Sequence, residues 1–138
     1  MNNSLKMDFT AYLQKFDYTE RRKMKIRIPE LLELLLKDKV QLIDIRFKEE
    51  YEAWHFPFTK NIPLNELPGR LDELDKSKLV VTACPHYDRA IIGRMFLVMN
   101  GFKARYLTDG LLGLADFLRG DNAYELMNFL NLKKVSND

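Results

Sequence analysis

Apolar residues recur along this chain at two spacings, and the switching between them predicts strands alternating with helices. Leu79-Val80-Val81-Thr82-Ala83 is a short run without a charge, the pattern of a buried strand. Val40-Gln41-Leu42-Ile43-Asp44-Ile45-Arg46 and Ala104-Arg105-Tyr106-Leu107 read the same way, while Ile26 and Ile28 alternate around Arg27 and Asn61-Ile62-Pro63-Leu64 is briefly extended. Helical spacing of three and four fills the intervals. Leu31, Leu32, Leu34, Leu35 and Leu36 follow Pro29, which is tolerated in a first helical turn. Lys48 to His55 gives one or two turns before Pro57, and Asn65 to Leu74 gives a helix interrupted at Pro68-Gly69. Ala90 to Met99 forms a helix that Asn100-Gly101 stops, and Leu111 to Leu118 forms another after the turn Thr108-Asp109-Gly110.

Both ends carry extra helices. Phe9, Tyr12, Leu13 and Phe16 predict a short amphipathic helix with Asp8 as its N-cap, lying on its own domain or on a second copy. The basic stretch Glu20 to Lys25 is expected to be a solvated linker. Tyr124, Leu126, Met127, Phe129 and Leu130 predict a last short helix before a polar tail from Lys133. The expected division is an N-terminal helical extension over 1–24, a core domain over 25–120, and a C-terminal helix and tail over 121–138. Strands alternating with helices imply an α/β fold, a parallel sheet with helices on both faces. Ligands of such sheets bind beyond the C-terminal strand ends.

Composition narrows the function classes. The 138 residues suit one domain, and 22 Lys and Arg against 20 Asp and Glu leave a formal charge of +2, too small to argue for nucleic acid or a membrane surface. The N-terminus lacks the apolar core of a signal peptide and no run is long enough to span a bilayer. With one cysteine and two histidines there is no intramolecular disulfide and no usual zinc set, so no metal or cofactor is expected and a reducing, cytoplasmic setting fits.

That single cysteine, Cys84, ends the apolar run at Ala83 and opens the polar loop Pro85-His86-Tyr87-Asp88-Arg89 before a helix. A loop between a strand and a helix N-terminus collects backbone N–H groups and the positive helix end, which favours an anion such as a thiolate. Arg89 adds a permanent cation five residues on. Pro85 has no N–H to offer, and Asp88 opposes a thiolate unless it pairs with Arg89. Asp44, an acid inside an apolar run, needs a partner, with Arg46 on the same strand face or a nearby loop as the candidates. His55, among Trp54, Phe56 and Phe58, reads as a buried, hydrogen-bonded histidine before a general base.

These landmarks together resemble the single-domain rhodaneses, the sulfurtransferase family. Leu42-Ile43-Asp44-Ile45-Arg46, Glu50-Tyr51 with His55 and Pro57, Asn61-Ile62-Pro63-Leu64, Cys84 with Arg89, Gly101-Phe102 and Leu107-Thr108-Asp109-Gly110 stand in the family's order between about Lys25 and Gly120. The resemblance implies a rhodanese-like fold with a central five-stranded parallel sheet. It implies an active-site loop of Cys84, Pro85, His86, Tyr87, Asp88, Arg89 and Ala90. Related phosphatases carry the arginine one position later, in a larger loop, so the spacing here favours sulfur over phosphate or arsenate.

The implied chemistry is ping-pong. Cys84 takes sulfane sulfur from a small anionic donor such as thiosulfate, becomes a persulfide, and yields the sulfur to cyanide or to an external thiol or thiol protein. With no second cysteine the chain cannot resolve its own persulfide. Some positions depart from the family. Tyr87 stands where glycine is usual, which predicts a strained or reshaped loop. Ala90 replaces a frequent serine or threonine, and Trp54 and Phe58-Thr59 replace small residues. These departures motivate a second reading, a rhodanese-like binding, sensing or interaction module with little turnover. Arg89 is expected to hold the anionic donor or the persulfide, with Lys48 and Arg70 as further candidate contacts or ordinary surface charges. His86 is expected to point to solvent.

Overall fold

The computed structural model describes residues 7–137 and contains a five-stranded sheet in the order β1-β5-β4-β2-β3. Its strands are β1 (Lys25–Ile26), β2 (Val40–Asp44), β3 (Lys60–Asn61), β4 (Leu79–Ala83) and β5 (Ala104–Leu107), and every pairing is parallel. Seven α-helices surround them: α1 (Phe9–Gln14), α2 (Tyr18–Arg22), α3 (Ile28–Leu36), α4 (Lys48–Ala53), α5 (Asp88–Met99), α6 (Gly110–Phe117) and α7 (Asp121–Asn137). The expected α/β architecture is present.

Strand alternation divides the core in two. Ile43 and Ile45 with Val80 and Cys84 meet Ala90 and Leu97 of α5 on one face, together with Ile62, Leu67 and Leu74. On the other face Leu42, Val81 and Ala83 meet Ile28 and Leu31 of α3 and Leu111 and Leu114 of α6. Leu31, Leu107, Leu111 and Leu114 are wholly buried, and each such side chain contributes about 1.5–3 kcal/mol over an exposed one. From β2 the chain steps outward to β3, and from β4 it steps the opposite way to β5. The switch point therefore lies between β2 and β4, which run level from Val40 and Leu79 to Asp44 and Ala83.

Several local expectations change. Ile28 opens α3 instead of continuing β1, because Pro29 in the first turn preorganises a helix. Asn65 to Leu74 is two 3₁₀ turns, Leu67–Gly69 and Leu71–Glu73, broken by the proline and glycine. The stretch expected as a linker from Glu20 instead begins inside α2, which Asp17 caps through the Glu20 amide at 2.8 Å. Its Glu20 takes a 2.6 Å ion pair from Arg94, a buried guanidinium on α5. The last helix runs 17 residues, through the stretch read as a polar tail. Lys133 anchors it by donating to the Leu36 carbonyl of α3 at 2.8 Å.

The N-terminal helix lies on its own domain, and residues 1–6 of the expected extension fall outside the described residues. Asp8 caps α1 as predicted, accepting from the Ala11 amide at 2.7 Å. Tyr12 is buried and its hydroxyl donates to Glu20 at 2.8 Å, while Arg94 donates to that hydroxyl at 3.1 Å. Arg94 further donates to the Ala104 carbonyl of β5 and the Lys23 carbonyl. One buried arginine thus joins α1, α2, α5 and the sheet. Among the described residues, no helix is long and apolar enough to cross a membrane.

Candidate active site

β4 ends at Ala83, so Cys84 sits beyond the C-terminal edge of the sheet, beside the switch point. Its side chain is fully covered, packed among the apolar residues on the α5 face. Pro85, His86 and Tyr87 form the loop and α5 begins at Asp88. The Thr82 hydroxyl donates to the Ala90 carbonyl at 2.8 Å, fixing the first turn of α5 against β4. In that position the Ala90 amide donates to the Cys84 sulfur at 3.4 Å.

The thiol does not have the lowered pKa that the loop's placement suggested. Burial pushes it up, and the neighbouring Asp88 carboxylate adds to this, against the lowering effect of the Ala90, Arg89 and His86 amides. Asp88 does not pair with Arg89. It faces the sulfur, which donates to Asp88 Oδ1 at 3.8 Å.

Arg89 reaches away to α4. Its two terminal nitrogens hold Glu50 at 2.7 and 3.0 Å in a bidentate pair. Glu50 also accepts from the Phe47 amide at 3.2 Å, and the Arg89 guanidinium holds its carboxyl below the usual range. The cation expected at the loop is therefore engaged by α4. Lys48 pairs with Glu52 and Arg70 with Glu66 and Glu73, both as partly or largely exposed surface groups.

The second loop at the switch point is set by the pair predicted from β2. Asp44 and Arg46, 0% and 2% exposed, are joined by contacts of 2.8 to 3.1 Å. Arg46 also donates to the Trp54 carbonyl at 2.7 Å and lies 4.4 Å from the centre of the Trp54 ring. Asn61 donates to the carbonyls of Asp44 and Arg46 at 2.9 and 3.0 Å. His55 is exposed, not buried, because its ring stacks on Tyr51 at the end of α4 instead of entering the core. Its Nδ1 lies 2.9 Å from the Tyr51 carbonyl, so the expected hydrogen bond is present.

Tyr87 keeps a negative φ of −152°, so the position does not call for the left-handed backbone that glycine would supply, and the side chain is 56% exposed. His86 is likewise exposed. The loop's close approach falls at Gly110 of α6, whose φ is +70° and where a Cβ would collide with the Pro85 and His86 carbonyl oxygens. From there Leu111 donates to the Cys84 carbonyl at 2.8 Å and Leu112 to that of Pro85 at 3.2 Å. Sequence reasoning placed Glu50 and Gly110 among the landmarks but not their contacts with the loop, since the partners lie far along the chain.

The geometry agrees with the comparisons. The family model for the rhodanese-like domain matches residues 28–116. A thiosulfate sulfurtransferase GlpE of Pseudomonas syringae pv. syringae is 27% identical over 82 residues, covering 59% of this chain and 77% of that one. An HTH-type transcriptional regulator of Mycobacterium tuberculosis is 44% identical over 55 residues, 40% of this chain, and the chain spans only 24% of its length. A crystal structure of a rhodanese-like domain protein from Staphylococcus aureus superposes with a TM-score of 0.60 at 28% identity, covering 65% of this chain and 89% of that one. With the parallel sheet, the cysteine loop beyond β4 and the model match over most of its length, this chain belongs to the rhodanese-like domain family.

Proposed function

We propose that this protein is a rhodanese-type sulfurtransferase that carries sulfane sulfur as a persulfide on Cys84. The observation that supports this most is the Ala90 amide directed at the Cys84 sulfur from the first turn of α5. Helix-end amides aimed at that atom stabilise the thiolate and the anionic persulfide. The thiolate attacks the outer sulfur of a donor such as thiosulfate, the S–S bond breaks, and sulfite leaves. Cyanide or an external thiol then removes the sulfur and restores the thiolate. The lone thiol makes an external acceptor necessary, and such chemistry suits a reducing compartment such as the cytoplasm.

Intact mass tests this directly. The reduced protein is weighed before and after excess thiosulfate or an alkyl hydropersulfide, then after cyanide, with Cys84→Ser alongside. One added sulfur that cyanide removes and the variant never gains is the expected result. No added sulfur on folded protein from either donor defeats the proposal.

A second reading is a rhodanese-like binding or sensing module. The fully covered, proton-retaining thiol and the engagement of Arg89 by Glu50 favour it. It predicts partner binding that survives Cys84→Ser.

A further inference from the structure

Charges around the loop divide unevenly. Asp88 Oδ1 stands 3.8 Å from the Cys84 sulfur, while the guanidinium of Arg89, the next residue, is neutralised by Glu50 through two hydrogen bonds. Two cations at the C-terminal end of β2 and the start of α4 are engaged as well, Arg46 by Asp44 and Lys48 by Glu52. Asp88, Glu50 and Arg89 together leave one negative charge in excess. We propose that Asp88 selects the sulfur donor, disfavouring the thiosulfate dianion and favouring a hydropersulfide, R–S–SH, whose organic arm is uncharged.

This deepens the carrier reading and rests on it. Attack on thiosulfate brings a thiolate against a dianion and releases another, sulfite: Cys84–S⁻ and S–SO₃²⁻ give Cys84–S–S⁻ and SO₃²⁻. Every species on that path is repelled by Asp88. Attack on a hydropersulfide is Cys84–S⁻ with R–S–SH giving Cys84–S–SH and R–S⁻. The R–S bond to the outer sulfur breaks as the Cys84 bond to it forms. The thiol proton lost to solvent before attack is regained from solvent by the departing R–S⁻. One charge is present throughout, so the carboxylate opposes this path much less.

The test is a time course of sulfur loading, read by intact mass, with thiosulfate and with 2-hydroxyethyl hydropersulfide, on wild type and Asp88→Asn at low and high ionic strength. Wild type should load faster from the hydropersulfide. Asp88→Asn should speed loading from thiosulfate by roughly tenfold or more, relative to its effect on the hydropersulfide. Added salt should speed thiosulfate loading of wild type by screening the repulsion. The salt response needs no variant, so it stands even if Asp88→Asn folds poorly. Thiosulfate loading that salt slows, or a donor ratio that Asp88→Asn leaves unchanged, overturns the selection and leaves the carrier reading intact. Failure of folded wild type to load from both donors removes the carrier reading, and the selection with it.

Discussion

At the scale of single residues, the Cys84 thiol is held between opposing influences. Burial and the Asp88 carboxylate favour the protonated form, whereas the loop amides favour the thiolate. The nucleophile is the deprotonated form, so its abundance rises with pH through a midpoint above the ordinary thiol value. Iodoacetamide alkylation of Cys84 should follow that rise, and Asp88→Asn should move the midpoint downward by removing the like charge. A rate independent of pH between about 7 and 10, bracketing the ordinary thiol range, would contradict the assignment. Residues near the loop differ in how readable they were. Asp44 was legible because an acid in an apolar run requires a partner and Arg46 lies on its own strand face. His55 was misjudged because aromatic neighbours in sequence pointed to the core, while the end of α4 turns its ring outward onto Tyr51.

Among elements, the loop is gripped from two sides. α5 supplies the amide to the sulfur, and the first turn of α6 donates to the carbonyls of Cys84 and Pro85. Gly110 permits this by its positive φ and its missing Cβ. Gly110→Ala should therefore destabilise the protein by about 1–3 kcal/mol, the range for backbone strain and overpacking, and slow sulfur loading more than Gly120→Ala does. Gly120 also has a positive φ but meets open space, so it controls for backbone strain alone. Urea denaturation together with loading rates separates the two effects. The interior strands were legible as uncharged or nearly uncharged runs, and the cysteine loop was legible from its place after one of them. The two-residue strands β1 and β3 were legible only as short extended stretches with shifted bounds, and the two 3₁₀ turns only as an interrupted helix, because segments so short carry no period to read.

Across the whole molecule, Arg94 ties the N-terminal helices to the family core. It is 2% exposed and paired with Glu20, 74 residues away. Nothing in the local pattern of α5 distinguishes it from a solvated arginine, which is why the basic stretch around Glu20 read as a linker. Glu20→Ala leaves the guanidinium without its carboxylate. The pair is partly open to solvent at Glu20, so a loss of roughly 1–3 kcal/mol is expected, below the range for a fully buried pair. Chemical denaturation measures it, and a change under 0.5 kcal/mol, the scale of ordinary surface substitutions, would show that α1 and α2 are held by apolar packing alone.

The sheet's two borders carry a different implication. β1 and β3 are each two residues long, and each includes a lysine. An outermost strand with unpaired amides and carbonyls is a template on which another chain can extend the ladder, and shortness and charge suppress this. At both ends of this sheet the template is nearly absent. Fibre-like growth by strand addition is therefore disfavoured from either side, and the protein should stay dispersed at high concentration without a partner covering its borders.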